Sequence, residues 1–167
     1  ESICAKAVNR IPGPEVVFAL PSEKPKFQWR EKTGLVVYRC HDFWDNFPEI
    51  GIRWAWQKGL DLGNDIVCDN YPLLVTHIKP TSLRDLAKHV LDRVRPLGQN
   101  GILVTGDLDR SVSKVATGTG VTVNPVRMDE LGADVGILTD DYYTHVRMGT
   151  HARELGLSTI VVNHGVS

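Results

Sequence analysis

The pattern of apolar and polar positions predicts strands and helices that alternate along most of the chain. Runs rich in β-branched side chains predict strands, and apolar positions spaced three and four residues apart predict helices. The expected strands cover residues 15–20, 34–39, 72–78, 101–106, 113–120, 135–139 and 158–162. The expected helices cover residues 48–60, 81–98, 126–133 and 142–156. Apart from its short strand, the proline-rich segment 9–26 is expected to be irregular.

Proline, glycine and hydroxyl residues mark several of these boundaries. Pro48 suits the first turn of a helix, and the strand at 72–78 is expected to end before Pro80. Thr81 or Ser82 can cap the helix that follows, and Gly98 marks its end. The last third of the chain forms a strand–helix–strand unit, which predicts a parallel pair of strands.

These elements predict an α/β fold with two lobes, built from mixed or parallel sheets flanked by helices. One lobe is expected to combine residues 1–63 with residues 126–167, because the early strand and the final strand–helix–strand unit carry the candidate metal-site residues. Residues 64–125 are expected to form the second α/β lobe. The two halves of the chain are not repeats of each other.

Composition narrows the possible classes of protein. The chain has 167 residues, of which 42% are hydrophobic and 23% charged, so it can bury a real core. A net charge of −1 argues against a nucleic-acid surface, and no apolar run approaches the roughly 20 residues of a membrane span. The three cysteines, Cys4, Cys40 and Cys68, form no CxxC motif, which favours a reducing compartment and a cytoplasmic protein.

Candidate chemistry lies at three predicted strand ends. His41 and Asp45 follow the strand 34–39, Asp141 follows 135–139 beside Asp140, and His164 follows 158–162. In parallel α/β sheets, ligands bind at the carboxyl ends of the strands, so these groups would converge if the strands are neighbours. Carboxylate and imidazole together suit a divalent transition metal. The alternative is structural, with the aspartates capping helices and the histidines packing in loops.

Other polar positions receive a structural interpretation. His89 and His151 are expected to be solvated helix residues, and His77 is expected to be a structural residue at a strand end. The glycines at 118–120 (GTG) lack the spacing of a phosphate-binding loop. They are expected to serve a tight turn or a close approach of two backbone segments.

Four stretches resemble the Nif-three-like dinuclear metal centre proteins, also known as GTP cyclohydrolase type-two homologues. They are GLVVYRCHDFWDNFPEIGIRWAWQKGL at 34–60, TSLRDLAKHV at 81–90, GDLDRSVSKVATGTG at 106–120 and GADVGILTDDYYTHVRMGTHARELGLSTIVVNHGVS at 132–167. The resemblance covers about residues 33–167. It implies metal-ligand roles for Asp45 and His164, and positions near the metals for His41, Asp141 and His145. It also implies two divalent metal ions (zinc, manganese or iron) and a homo-hexamer.

The chain departs from the family pattern at two places. In the family, an early His-His or His-Glu pair supplies metal ligands, and this chain has no such pair. The family's closing glutamate ligand would stand one position past Ser167, the last residue. We therefore expect either an incomplete version of a longer protein, which is the favoured interpretation, or a member with a weakened site. The first residue is Glu, which suits a processed chain or part of a longer product.

Three hypotheses about function follow. The first is a metal-dependent hydrolase of a phosphorylated or nucleotide-like small molecule, with Asp45 and His164 as ligands and with His41, Asp141 and His145 as supporting or proton-relaying groups. The second is a non-enzymatic metal-binding scaffold or regulator that acts through protein partners. The third is an α/β domain with neither metal nor activity.

Overall fold

Six strands form one mixed sheet in the computed structural model, which describes residues 32–34, 47–120, 123–139 and 148–166. The chain divides at Phe47 into two compact units, and the sheet belongs to the second unit, Pro48–Ser167. The strands are β1 (Ile66–Asn70), β2 (Leu73–Ser82), β3 (Leu103–Thr105), β4 (Ser111–Gly118), β5 (Val135–Thr139) and β6 (Ser158–Val162). Their order across the sheet is β1-β2-β4-β5-β6-β3.

Four helices accompany this sheet. They are α1 (Ile52–Gly59), α2 (Leu83–Val94), α3 (Pro125–Glu130) and α4 (Met148–Leu155), with short 3-10 turns at Arg95–Leu97 and His164–Val166. The Ser82 hydroxyl accepts a hydrogen bond from the backbone N–H of Asp85 at 3.1 Å, which confirms the expected cap of α2. Gly98, with φ of 95°, ends the 3-10 turn after α2.

Each face of the sheet supports its own hydrophobic core. Side chains alternate across a strand, so Val135 and Ile137 of β5 face one core, and Leu138 faces the other. The first core packs the sheet against α1 and α2 through residues such as Trp56 and Val90. The second core packs it against the region of α3 and contains Leu73, Val75, Ala116, Val123, Met128, Leu138, Leu157 and Val161. The mixed sheet between helices confirms the expected α/β class.

Strands β4, β5 and β6 run parallel, and the remaining pairs are antiparallel. Thr117 of β4 lies opposite Ile137 of β5, and Thr139 of β5 lies opposite Val162 of β6. The expected parallel pair in the last third of the chain is therefore confirmed. The sheet joins strands from 64–125 with strands from 126–167. The division into lobes also depends on residues 1–46, most of which lie outside the described residues, and it stays a prediction.

The structure adds one strand that was not predicted and moves several boundaries, of which two involve prolines. The strand β1 was not predicted, because its sequence, IVCDN, is only five residues long and about half exposed. Pairing with β2 holds this segment extended. β2 continues through Pro80, which lies where the register with β4 shifts between His77 and Thr81, so its missing N–H breaks no ladder bond there. α1 begins at Ile52, and Pro48 lies in the preceding turn.

The longest described helix, α2, has 12 residues. About 20 apolar residues are needed to cross a bilayer. Among the described residues no helix has the length and hydropathy of a membrane span.

Candidate functional site

The carboxyl ends of three parallel strands lie side by side at one edge of the sheet. β4 ends at Gly118, β5 at Thr139 and β6 at Val162, and the pairing of Thr139 with Val162 puts the last two ends level. The loop that follows β4 is tied to β5, because the backbone N–H of Gly120 donates to the Thr139 hydroxyl at 2.9 Å. This edge corresponds to the position where parallel α/β sheets bind ligands.

His164 lies at this edge, two residues beyond the end of β6. The turn that carries it is held by hydrogen bonds on both sides. The Asn163 backbone N–H donates to the Gln99 side-chain oxygen at 3.0 Å, and the Asn163 side-chain oxygen accepts from the Gly165 N–H at 2.7 Å. His164 itself is exposed, so its imidazole lies at the surface of a turn with a defined backbone.

The other four predicted site residues lie outside the described residues. Asp141 and His145 follow β5 directly in sequence, and His41 and Asp45 belong to the segment before residue 47. The structure brings the ends of β5 and β6 together, which are two of the three strand ends that the sequence analysis selected. The roles of all five residues stay predictions.

Both glycines of the 118–120 segment have structural roles, but only the turn at Gly120 matches the expectation, because Gly118 lies against side chains and not against a second backbone segment. A Cβ at Gly118 would lie 2.9 Å from both the Leu73 Cδ2 and the Val123 Cγ2 atoms, so a side chain here would force these core residues to shift. Gly120 has φ of 72°, in the left-handed region, and its N–H makes the bond to Thr139. Thr139 is therefore a residue of the site edge that sequence analysis overlooked, because its partner is 19 positions away in the chain.

A cavity of about 840 Å³ opens beside the His164 turn. Its walls come from residues 97–103, before and within β3, and from the end of β6 with the turn after it. These segments meet because β3 runs antiparallel to β6, with Leu103 opposite Val161. The carboxamides of Gln99, Asn100 and Asn163 line the cavity together with Leu97 and aliphatic residues of β6. The volume lies within the range of small-molecule sites, about 300–1,000 Å³.

The described residues include one of the two predicted metal ligands, His164. Among residues 32–34, 47–120, 123–139 and 148–166, no three histidine, cysteine or acidic side chains lie close enough together to hold a metal. The imidazole of His164 has the right chemistry for zinc or iron. The remaining predicted ligand, Asp45, lies outside the described residues, so the described part does not by itself form a metal centre.

At the opposite edge of the sheet, Asp134 joins β4 to the start of β5. One carboxylate oxygen, Oδ2, accepts hydrogen bonds from the Ser113 N–H at 2.8 Å, the Lys114 N–H at 2.9 Å and the Ser113 hydroxyl at 3.1 Å. Burial raises the pKa of Asp134, but these hydrogen bonds and the charge of Arg110 outweigh it and hold the pKa below the ordinary 3.8. Asp134 therefore helps to fix β5 against β4, two of the parallel strands whose carboxyl ends form the candidate site.

A second cavity, of about 670 Å³, is lined in part by His77 and His89. The His77 Nδ1 lies 3.6 Å from the Asp65 carboxylate, and both side chains are largely exposed. The His89 Nε2 lies 2.7 Å from the Leu60 carbonyl oxygen, which can only accept, so this nitrogen carries the proton. The expectation of a solvated His89 is therefore wrong, because the side chain is partly buried and holds α2 against the end of α1.

Solved structures share this fold. The protein ybgI, of unknown function, matches 98% of this chain and 68% of its own with 23% identity and a TM-score of 0.62. TTHA1606 from Thermus thermophilus matches 89% of this chain and 59% of its own, with 20% identity and a TM-score of 0.59. A Bacillus cereus protein related to NIF3 is 28% identical over 56% of this chain, with a TM-score of 0.49. The chain spans 25% of that protein's length.

No curated protein matches the chain significantly. The family model Duf34/NIF3 (NGG1p interacting factor 3) matches residues 26–167, which include every described strand, the glycine loop after β4 and the His164 turn. Since this match covers most of the sequence, the chain belongs to the Duf34/NIF3 family.

Proposed function

We propose that this chain forms part of a divalent-metal-dependent hydrolase that acts on a phosphorylated or nucleotide-like small molecule. The observation that carries the proposal is the parallel pairing of β5 with β6, with Thr139 opposite Val162. This pairing supports a site in which Asp141, two residues after Thr139, and His164, two residues after Val162, act on the same substrate. The cavity of about 840 Å³ beside the His164 turn offers room for that substrate.

The proposal divides the five predicted site residues between two roles. Asp45 and His164 would hold two divalent ions (zinc, manganese or iron), together with ligands from elsewhere in the protein. Bound ions of this kind supply a deprotonated water at neutral pH and polarise the bond that breaks. Asp141, His41 and His145 would orient the ligand groups and move protons. Amide groups such as that of Asn100 would hydrogen-bond the substrate in the cavity. The proposal also includes a cytoplasmic homo-hexamer.

A non-enzymatic role is the second candidate. The family's description names an interaction with another protein, NGG1p. A metal-binding scaffold would use the same ligand residues to stabilise a surface for a partner, without turnover. Partner binding that survives Asp45→Ala, with no hydrolysis of any phosphorylated or cyclic compound, would favour the scaffold.

Metal content per chain is the test. The protein is purified without chelators or an affinity metal column, and bound metal is measured by elemental analysis. About two ions per chain are expected for a dinuclear centre. Asp45→Ala and His164→Ala should each lower that number. His151→Ala is the matched control, because His151 is an exposed histidine of α4 and should leave it unchanged.

Two results would contradict the proposal. One is the absence of bound metal after zinc, manganese and iron are each added. The other is an equal loss of metal in the His151→Ala control, since metal would then be bound nonspecifically by surface imidazoles. A positive result justifies a screen of phosphorylated and cyclic substrates for turnover.

A further inference from the structure

The chain segments of β3 and β6 separate at the cavity beside the His164 turn. Leu103 lies opposite Val161, so an antiparallel ladder continued by two residues would place Gly101 opposite Asn163. Within the described residues, no backbone hydrogen bond joins Gly101 to Asn163. Both residues line the cavity of about 840 Å³. The cavity therefore opens where the ladder between β3 and β6 stops.

The side chain of Gln99 lies between these two separated segments. Its oxygen accepts a hydrogen bond from the Asn163 backbone N–H at 3.0 Å, and its nitrogen donates to the Gly101 carbonyl oxygen at 2.7 Å. A continued ladder would join this N–H to this carbonyl directly. The carboxamide bridges them and holds the two backbones further apart than neighbouring strands of a sheet.

The end of α2 brings Gln99 to this position. The 3-10 turn Arg95–Leu97 ends at Gly98, whose φ of 95° lies in the left-handed region that glycine adopts readily. The Gly98 N–H donates to the Arg95 carbonyl oxygen at 3.0 Å, so the chain changes direction directly before Gln99. Gln99 itself is half-buried. Its carboxamide is therefore anchored through a short turn to the longest described helix.

The bridge acts on the turn that carries His164. Asn163 directly precedes His164, and its side-chain oxygen accepts from the Gly165 N–H at 2.7 Å. The carbonyl oxygen of Asn163 accepts from the Val166 N–H at 3.2 Å. Gln99 thus fixes the backbone of the residue around which the whole turn is built.

We propose that Gln99 is a positioning residue, which holds the His164 turn in place for metal binding and keeps β3 and β6 apart beside the cavity. The role of His164 as a ligand rests on the proposed function. Groups that orient a metal ligand matter to the metal, and their replacement commonly weakens metal affinity by about 10–100-fold.

Hydrogen exchange tests the bridge before any metal is added. Gln99→Met keeps the length of the side chain and removes both of its hydrogen-bonding groups. Amide exchange of Asn163, followed by NMR on the full chain, should become about tenfold faster because the N–H loses its acceptor. Gln57→Met is the matched control, because Gln57 donates to the Gly63 carbonyl oxygen at 2.6 Å, away from the cavity. An unchanged rate in Gln99→Met, or an equal rise in the control, would overturn the proposal.

Zinc affinity tests the positioning role. Affinity is measured on the full chain by competition with a chromophoric chelator. Gln99→Met should bind zinc about tenfold more weakly than the wild type, whereas Gln57→Met should bind it equally well. In a His164→Ala background, Gln99→Met should have no further effect on the zinc that remains bound, because Gln99 acts through the His164 turn.

Two zinc results would overturn the proposal. One is wild-type affinity in Gln99→Met. The other is an equal loss of affinity with and without His164, since Gln99 would then act through another part of the protein. A wild-type chain that binds no metal would instead contradict the proposed metal-dependent function, and the exchange rate of Asn163 would still decide whether Gln99 holds the turn.

Discussion

The backbone N–H of Gly120 donates a hydrogen bond to the hydroxyl of Thr139 at 2.9 Å, which links the loop after β4 to the end of β5. Thr139 is 2% exposed, so water cannot readily replace this bond. The bond lies at the same edge of the sheet as the His164 turn, because Thr139 is opposite Val162. The geometry of the candidate site therefore depends on a contact between a loop and a strand end that are 19 positions apart in the sequence.

Replacement of Thr139 tests that link. Thr139→Val keeps the shape of the side chain but removes the acceptor of the Gly120 N–H. The free energy of unfolding should fall by about 1–2 kcal/mol, measured by urea denaturation. Thr76→Val is the matched control, because the Thr76 hydroxyl is fully buried and has no partner within the described residues. That substitution should be neutral or stabilising, and equal losses in both variants would refute the account of Thr139.

Asp134 should make stability depend on pH. Its pKa is held below the ordinary 3.8 in the folded protein, so the folded state favours the ionised carboxylate. The stabilisation is therefore complete well above pH 3.8 and declines as the pH falls through the folded-state pKa. Asp134→Asn should lower the free energy of unfolding by about 1–3 kcal/mol at pH 7.

Denaturation at several pH values checks this prediction. The difference between wild type and Asp134→Asn should be largest at neutral pH and shrink as acid protonates the wild-type carboxyl. Asp129→Asn is the control, because Asp129 is exposed and its side chain makes no hydrogen bond to the described residues. A difference that stays constant from pH 7 to pH 3 would contradict the assigned pKa shift.

Arg53 and Asp69 form an ion pair at 2.5 Å that connects α1 to β1. The Arg53 side chain is 7% exposed, and the guanidinium also lies 5.4 Å from the centre of the Tyr71 ring. Asp69→Asn would leave the buried charge of Arg53 without its carboxylate partner. The Asp69 side chain is 41% exposed, so solvent can compensate for part of this loss. We expect this change to cost about 1–3 kcal/mol in thermal or urea denaturation.

An exposed pair provides the comparison for Arg53. Arg84 and Asp109 lie 3.1 Å apart, but their side chains are 47% and 81% exposed. Asp109→Asn should therefore cost at most about 1 kcal/mol, because solvent screens exposed pairs. If both substitutions cost the same, burial of Arg53 does not strengthen its ion pair.

A side chain at Gly118 should destabilise the second core. A Cβ at this position would lie 2.9 Å from side-chain atoms of Leu73 and Val123, which belong to the well-packed second core. Gly118→Ala should lower the free energy of unfolding by about 1–3 kcal/mol because the core must shift to accept it. Gly101→Ala is the control, since nothing lies within 4 Å of its Cβ position and its φ is not positive. Comparable losses in the two variants would show that the packing at Gly118 is looser than the structure indicates.

Periodicity in the sequence determined most of the elements and one of the strand pairings. The apolar spacing of residues 83–94 and the cap at Ser82 determined α2, because both signals lie within a few residues of each other. The strand–helix–strand order of the last third determined the parallel pairing of β5 with β6, since such connections are short and of one hand. The polar residues that follow those two strands could therefore be selected as candidates without a structure.

Tertiary structure decided the features that depend on distant partners. β1 is extended because β2 pairs with it, and β2 runs through Pro80 because the ladder to β4 shifts there. The hydrogen bond between Gly120 and Thr139 has no local signature in the sequence either. Local patterns specify which segments are helix or strand, whereas pairing, register and cavity walls arise from contacts between residues far apart in the chain.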